Sequence, residues 1–146
     1  MNFKEWKETI FSLDRYENGE DAKKFSTLIA DKPSDATEKQ YIECLLETFS
    51  DQDDYGVQEG VLTVLDSVNQ RIFFETLGEN FQNLLESTKE KEWGLLILGR
   101  VINSNNNINI NELVSVSKKC KNKTMLEFLK SEYFQDEYPE ISVFLK

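Results

Sequence analysis

The sequence of 146 residues contains no histidine, only two prolines, six glycines and two cysteines. The absence of histidine removes the most frequent general base, the usual partner of a nucleophilic serine or cysteine, and the commonest zinc ligand. The glycines are scattered, and no glycine-rich loop that could hold a phosphate is present. These absences argue against a histidine-dependent catalytic site, a zinc site and a phosphate-binding loop. The sequence therefore predicts a protein that is not an enzyme, with no cofactor, no catalytic residues and no metal ligands.

Segments that would direct the chain to or across a membrane are also missing. No apolar run approaches the roughly 20 residues of a membrane-spanning helix. The N-terminal residues Met1 to Trp6 mix charged and apolar side chains, unlike a secretory signal. Cys44 and Cys120 form no Cys-x-x-Cys motif, and each lies in an apolar helical pattern. We expect a cytoplasmic protein with two buried, reduced thiols.

Acidic residues dominate the charged part of the composition. There are 27 acidic and 17 basic residues, which gives a net charge of −10 and a pI near 4.6. Such a surface repels nucleic-acid phosphates and anionic lipid, and it attracts basic partners. We expect no nucleic-acid or membrane partner and a cationic protein partner, although high charge also serves solubility alone.

Hydrophobic residues recur at helical spacing along most of the chain, which predicts an all-α protein. The stretch from Trp93 to Ile102 is apolar nearly all round, so we expect it to form the central helix. Short connections between eight or nine helices indicate antiparallel neighbours, and paired helices from the fourth onward are typical of α-solenoids. The prediction is one domain, 1–146, of about eight antiparallel helices with HEAT-like packing. The predicted capping pairs are Asn2/Glu5, Thr37/Gln40, Ser87/Glu90, Asn109/Glu112 and Thr124/Glu127.

The densest acidic segment runs from residue 35 to residue 60, where eight acids and one lysine give a net charge of −7. Its part from Asp51 to Gly56 matches the start of a calcium-binding EF-hand loop. Leu62, however, stands where that loop needs a bidentate glutamate. Asp54 fits better as the cap of the fourth helix.

Like charges one helical turn apart, as at Glu43 and Glu47, destabilise a helix by about 0.2–0.5 kcal/mol. Tolerated repulsion is expected of a surface kept for a cationic partner, although a plain solvated helix face would have the same sequence. The predicted partner-binding residues are Glu43, Glu47, Asp51, Asp53, Asp54 and Glu59.

Two further features lie in the C-terminal half. A second acidic cluster (Glu127, Glu132, Asp136, Glu137 and Glu140) is interleaved with Tyr133, Phe134 and Tyr138, a mixture that suits interfaces. We expect Phe134 to pack inward. Arg100 is the one charge within the apolar segment, and we expect it to pair with a carboxylate or with loop carbonyls.

The segment Trp93 to Ser104, with its tryptophan, leucines, arginine and Asn-Ser ending, resembles a motif of the all-α, HEAT-like immunity proteins of bacterial polymorphic toxin systems. The stretch Asp54 to Glu59 also resembles their central region. The resemblance implies a small cytoplasmic protein that binds and neutralises a cognate toxin domain. Nuclease toxins are often basic, so an acidic inhibitor would be complementary. The alternatives are a HEAT-like adaptor without a toxin partner and a small hydrolase with paired carboxylates and a metal.

Overall fold

The structure, a computed structural model, describes residues 1–90 and 92–146. In these residues the chain forms ten α-helices and no strand, as the all-α prediction required. The buried hydrophobic side chains make one continuous core. The helices are α1 (Phe3–Ser12), α2 (Gly19–Ile29), α3 (Glu38–Glu47), α4 (Val57–Ser67), α5 (Gln70–Ser87), α6 (Trp93–Asn103), α7 (Asn107–Lys119), α8 (Thr124–Lys130), α9 (Glu132–Glu137) and α10 (Ile141–Phe144).

Helix starts follow the predicted caps in the first part of the chain. The Asn2 side chain accepts a hydrogen bond from the Glu5 amide at 2.9 Å. Thr37 and Gln40 form both halves of a capping box. Each cap supplies partners to amides that the first turn of a helix leaves unsatisfied. These two predictions are confirmed.

The later caps differ from the predictions. Ser87 is the last residue of α5 rather than the start of α6, and Asn106 caps α7 by accepting the Asn109 amide at 3.1 Å. Thr124 is the first helical residue of α8 and follows Lys123, which makes no side-chain cap. A short polar signature fits either end of a helix, so it did not fix these boundaries.

The longest helix, α5, has the central position that the sequence assigned to α6. It has 18 residues and packs against α3, α4, α6, α7 and α8. Helix α6 packs against α5 and α7 and exposes a stripe formed by Leu96, Arg100 and Asn103. The high apolarity of α6 correctly indicated that it is buried, but α5 rather than α6 packs against the larger number of helices.

The C-terminal segment contains one more helix than the sequence predicted. The predicted eighth helix ends at Lys130, because the Ser131 hydroxyl accepts the Phe134 amide at 3.2 Å and starts α9. Phe134 is fully buried, as predicted. The Tyr138 ring lies directly on Gly99 of α6, where an added β-carbon would overlap with it. This contact fastens α9 and the following turn to α6.

Both cysteines are free thiols, as expected, but only one is buried. Cys44 is buried, and Cys120 is half-buried. Burial raises the pKa of the Cys44 thiol to about 12. Among the described residues, no helix has both the length and the apolarity to cross a membrane.

Candidate protein-interaction site

Three loops meet at one end of the helical bundle. They connect α1 to α2, α3 to α4, and α5 to α6, and they are joined by side-chain hydrogen bonds and ion pairs. We call this region, with the first turn of α4, the three-loop end (residues 13–18, 48–59, 88–90 and 92). It contains the centre of the acidic segment singled out in the sequence.

Arg15 joins the first loop to the second. Its Nε lies 3.3 Å from Asp54 Oδ2, and both side chains are almost fully buried. Its guanidinium also donates hydrogen bonds to the Thr48 carbonyl and, at 3.0 Å, to the Tyr16 hydroxyl. The guanidinium carbon lies 4.7 Å from the centre of the Phe25 ring. Arg15 is therefore a structural cation that connects the second loop to α2 through Phe25.

Trp93 joins the second loop to the third. Its indole Nε1 donates to the Ser50 carbonyl at 3.0 Å, and its ring centre lies 4.8 Å from that of Phe49. The Glu90 amide donates to Asp51 Oδ1 at 3.1 Å. Trp93 is 4% exposed, as expected of the first residue of the apolar stretch from Trp93 to Ile102.

Gln58 closes the second loop on itself. Its side-chain oxygen accepts the Ser50 amide at 2.6 Å, and its amide nitrogen donates to the Gln52 carbonyl at 2.9 Å. Gln58 is buried despite its polar side chain. Since both ends of its amide are used, the loop keeps one shape without regular secondary structure.

Negative charge covers the three-loop end. Its described residues include six exposed acids and one exposed base, Lys89. Exposed charges of one sign raise the local potential and speed encounter with the opposite sign. The six acids are Asp14, Glu17, Asp53, Glu59, Glu90 and Glu92.

Tyr55 projects from this acidic surface. It is 86% exposed and has a left-handed backbone, with φ of 56°. A bulky residue with positive φ is uncommon, because its β-carbon crowds the backbone. Asp53 Oδ1 accepts the Tyr55 amide at 2.9 Å and supports this turn. A tyrosine among carboxylates offers one large apolar contact within a steering field.

The six residues predicted to bind a partner do not form one continuous face. Glu43 is half-buried on α3. Glu79 forms an ion pair with Lys39 at 2.7 Å and is the main cause of the raised pKa of Lys39. The charge of Glu43 raises that pKa further. Glu47 forms an ion pair with Lys7 at 3.4 Å. The inferred repulsion along α3 is therefore offset by lysines of the chain itself.

Asp54, one of the six residues predicted to bind a partner, is buried rather than exposed. Asp54 is 2% exposed, and its Oδ1 accepts the amide of Gln58 in the first turn of α4 at 3.1 Å. The N-cap position of α4 is Gly56, however, and not Asp54 as expected. Asp51 is half-buried, whereas Asp53 and Glu59 are exposed. The structure thus places Asp51, Asp53 and Glu59 together with acids from the other two loops.

The second acidic cluster lies in the C-terminal part of the chain, and all five of its carboxylates are exposed. Tyr133 beside it is 45% exposed. Burial, followed by a hydrogen bond to Glu92 and the charges of Glu92 and Glu137, raises the pKa of Tyr133. A surface groove of about 470 Å³ lies next to Tyr133, with Leu85, Leu95 and Phe128 in its lining. This region is the second place where a partner could bind.

Arg100 has the carboxylate partner that its position predicted. It forms a bidentate pair with Asp66, with nitrogen–oxygen distances of 2.7–3.0 Å, and the hydrogen bond to Asp66 raises its pKa. Both side chains are about half exposed. The pair borders a groove of about 410 Å³ whose floor includes Leu62, Phe73 and Ile97.

Arg15 and Tyr55 are the site residues that sequence reasoning missed. A lone arginine between Asp14 and Tyr16 carries no local signal of burial. The Tyr55-Gly56 pair after three aspartates is a turn signal, from which exposure of the ring could have been anticipated. A scan against models of known protein families finds no match, and searches of curated proteins and of solved structures also find none.

Proposed function

We propose that this chain is an immunity protein that binds and neutralises a cationic toxin domain through the three-loop end. The observation that carries the proposal is the combination of six exposed acids with an exposed tyrosine on loops that are joined by hydrogen bonds and a buried ion pair. Rigid loops lose little conformational freedom on binding, which leaves more of the contact energy for affinity. The resemblance around Trp93 and Asp54 supports the same class of protein.

The helix packing also supports a HEAT-like arrangement as part of this proposal. Helices α3, α5 and α7 form one row of neighbours, and α2 packs against α4 beside it. Two such rows are how α-solenoid repeats stack. The proposed setting is the cytoplasm, where an immunity protein would meet its toxin. The proposed partner is basic and acts on nucleic acid, so the chain itself would not bind nucleic acid or membrane.

The test is co-expression with the variable C-terminal domain of a toxin encoded next to this gene. We expect cell growth to be restored and a one-to-one complex to form on size-exclusion chromatography with light scattering. Association should slow as salt rises, because steering between unlike charges is screened. A failure to protect against that toxin, together with no complex at low salt, would contradict the proposal.

Charge reversal at two surfaces makes the test specific. Glu17, Glu59 and Glu90 are exposed, and their carboxylates make no hydrogen bond or ion pair within the described residues. Changing all three to lysine should slow association at least tenfold and leave stability nearly unchanged. The matched control reverses Asp136, Glu137 and Glu140 in the second acidic cluster, and it should bind with a much smaller change. The opposite ranking would place the interface at that cluster.

A further inference from the structure

The groove of about 470 Å³ beside Tyr133 leaves apolar side chains of several helices in contact with solvent. It lies between the end of α5, the start of α6, and helices α8 and α9, and we call it the Tyr133 groove. Its apolar lining comes from Leu85, Gly94, Leu95, Phe128 and Tyr133. Tyr133 is 45% exposed, and Leu85 and Phe128 are half-buried. An apolar ligand would remove this surface from water, which is favourable.

Close packing beneath the groove holds its walls in place. A β-carbon added to Gly94 would lie 2.9 Å from Leu85 Cδ2 and 3.0 Å from Phe81 Cζ, so α6 approaches α5 closely here. The centre of the Phe128 ring lies 5.1 Å from that of Phe81 and 5.9 Å from that of Tyr133, and both contacts are edge-on. The groove is thus formed in the free protein, as ligand sites usually are.

The charges around the groove favour a cationic ligand. Among the described residues, those that line the groove and those of α9 include four acids and one base. The acids are Glu92, Glu132, Asp136 and Glu137, and the base is Lys89. Carboxylates beside the groove attract a cationic segment and repel an anionic one, whereas the apolar walls do not solvate a charge. The arrangement therefore fits an apolar side chain that has lysine or arginine as its neighbours.

The groove is continuous with the three-loop end. Thr88, Lys89 and Glu92 belong to the third loop and also line the groove. The Tyr133 hydroxyl donates to Glu92, which connects that loop to α9. One such bond uses one of the roughly four acceptor positions of a carboxylate, so Glu92 can still accept a hydrogen bond from a ligand. A partner that binds the loops therefore also reaches the groove.

We propose that the Tyr133 groove receives an aromatic side chain of the cationic partner, next to a lysine or arginine that faces Glu92. The partner's ring packs against Phe128 and Tyr133 and contacts Leu85 and Leu95. Buried aromatic side chains supply much of the binding energy at interfaces, whereas exposed charges mainly set the rate of encounter. The groove therefore slows dissociation, while the acids of the three-loop end speed association. The inference rests on the proposed function for the identity of the partner, but the groove can be tested without a toxin.

The test is an NMR titration of the ¹⁵N-labelled full chain with the peptide N-acetyl-Lys-Phe-Lys-amide. Two control peptides replace either the phenylalanine by serine or both lysines by glutamate. We expect saturable amide shifts centred on residues 85–90, 92–95 and 126–134, with a dissociation constant on the order of 1 mM. Each control peptide should bind weaker by about fivefold or more. Absence of saturable shifts, equal binding of either control peptide, or shifts centred on another surface would overturn the inference.

Variants at the two walls identify the groove as the site. Tyr133→Ala should weaken the Lys-Phe-Lys peptide by about threefold or more. Tyr133→Phe keeps the ring and loses only the hydroxyl that donates to Glu92, so its affinity should stay within about twofold of the unchanged protein. The matched control, Tyr55→Ala, removes an exposed tyrosine from the second loop and should have no effect. Leu85→Ala tests the opposite wall, and circular dichroism checks that each variant is folded. Unchanged binding in both Tyr133→Ala and Leu85→Ala would show that the groove holds only solvent.

Rate constants with the toxin domain separate the groove from the steering acids. Tyr133→Ala should raise the dissociation rate constant by about threefold or more and leave the association rate constant nearly unchanged. Lysine at Glu17, Glu59 and Glu90 should act on association instead. An unchanged dissociation rate in Tyr133→Ala would contradict the inference. A failed peptide titration leaves the co-expression test of the proposed function unaffected, and a chain that fails to protect against the toxin can still bind the peptide.

Discussion

Two adjacent aspartates should differ greatly in how much stability their mutation to asparagine costs. Asp53 is exposed and Asp54 is 2% exposed, although they are neighbours of the same type in the same loop. Asp54→Asn keeps an oxygen that can accept the Gln58 amide but removes the charge that faces Arg15. The buried guanidinium then lies beside no carboxylate.

The expected cost follows from the burial of both partners. Side-chain exposures are 7% for Arg15 and 2% for Asp54, so solvent cannot replace the lost charge. Removing one partner of a buried pair typically costs about 3–5 kcal/mol. Asp53→Asn, in contrast, alters an exposed carboxylate that accepts one amide bond, from Tyr55. Because the asparagine oxygen can still accept this amide and the position is exposed, the expected cost is at most about 0.5 kcal/mol.

Urea unfolding followed by far-ultraviolet circular dichroism measures both values, since helix content reports the folded fraction. A double-mutant cycle with Arg15→Met isolates the pair, and the double variant should lose less than the sum of the single losses by about 1–3 kcal/mol. Equal losses for Asp53→Asn and Asp54→Asn, or strictly additive losses in the cycle, would refute the buried pair.

Three other substitutions test the packing. Trp93→Ala removes a buried ring and its bond to the second loop, and it should cost about 3–5 kcal/mol in urea unfolding, whereas a harmless change would mean that the indole is not buried. Gly99→Ala should lower the free energy of unfolding by about 1–3 kcal/mol, because the new methyl group overlaps with Tyr138. Gly60→Ala places its methyl group in open space within α4, so it should raise the free energy of unfolding by about 0.5–1 kcal/mol. Burial raises the pKa of Cys44 above its ordinary value of 9.0 to about 12, so the unfolding free energy should fall as pH rises between these values, by up to about 1.4 kcal/mol per pH unit. Cys44→Ala should reduce that slope.

Helices were predictable because their signals are local. The spacing of apolar residues is set within a few turns, and Asn2 and Thr37 stand alone as caps before clear apolar stripes. Ser87 failed as a cap because its hydroxyl bonds back to the Asn83 carbonyl at 2.9 Å and completes α5. Asn109 failed because the asparagine-rich loop offers Asn106 one turn earlier. Local patterns cannot choose between the end of one helix and the start of the next.

The site was predictable in region but not in residues. Charge density along the chain pointed to the segment that contains Asp51, Asp53 and Glu59. Nothing in the local sequence distinguishes Asp53 from Asp54, since the burial of Asp54 depends on its pairing with Arg15 in a different loop. The acids of the first and third loops lie in the acidic surface of the three-loop end only because of tertiary contacts. The density of charge along the sequence does not reveal such contacts.

The acids of the three-loop end have two different roles, and this division decides how the surface can evolve and be tested. Asp51 and Asp53 accept backbone amides and so shape the loops while they keep their charge. Glu17, Glu59 and Glu90 make no such bonds within the described residues, so they are exchangeable at little structural cost. A binding surface built this way can change its specificity at the glutamates while the aspartates preserve its shape. Partner recognition should therefore vary first at Glu17, Glu59 and Glu90, with the rigid loops beneath them unchanged.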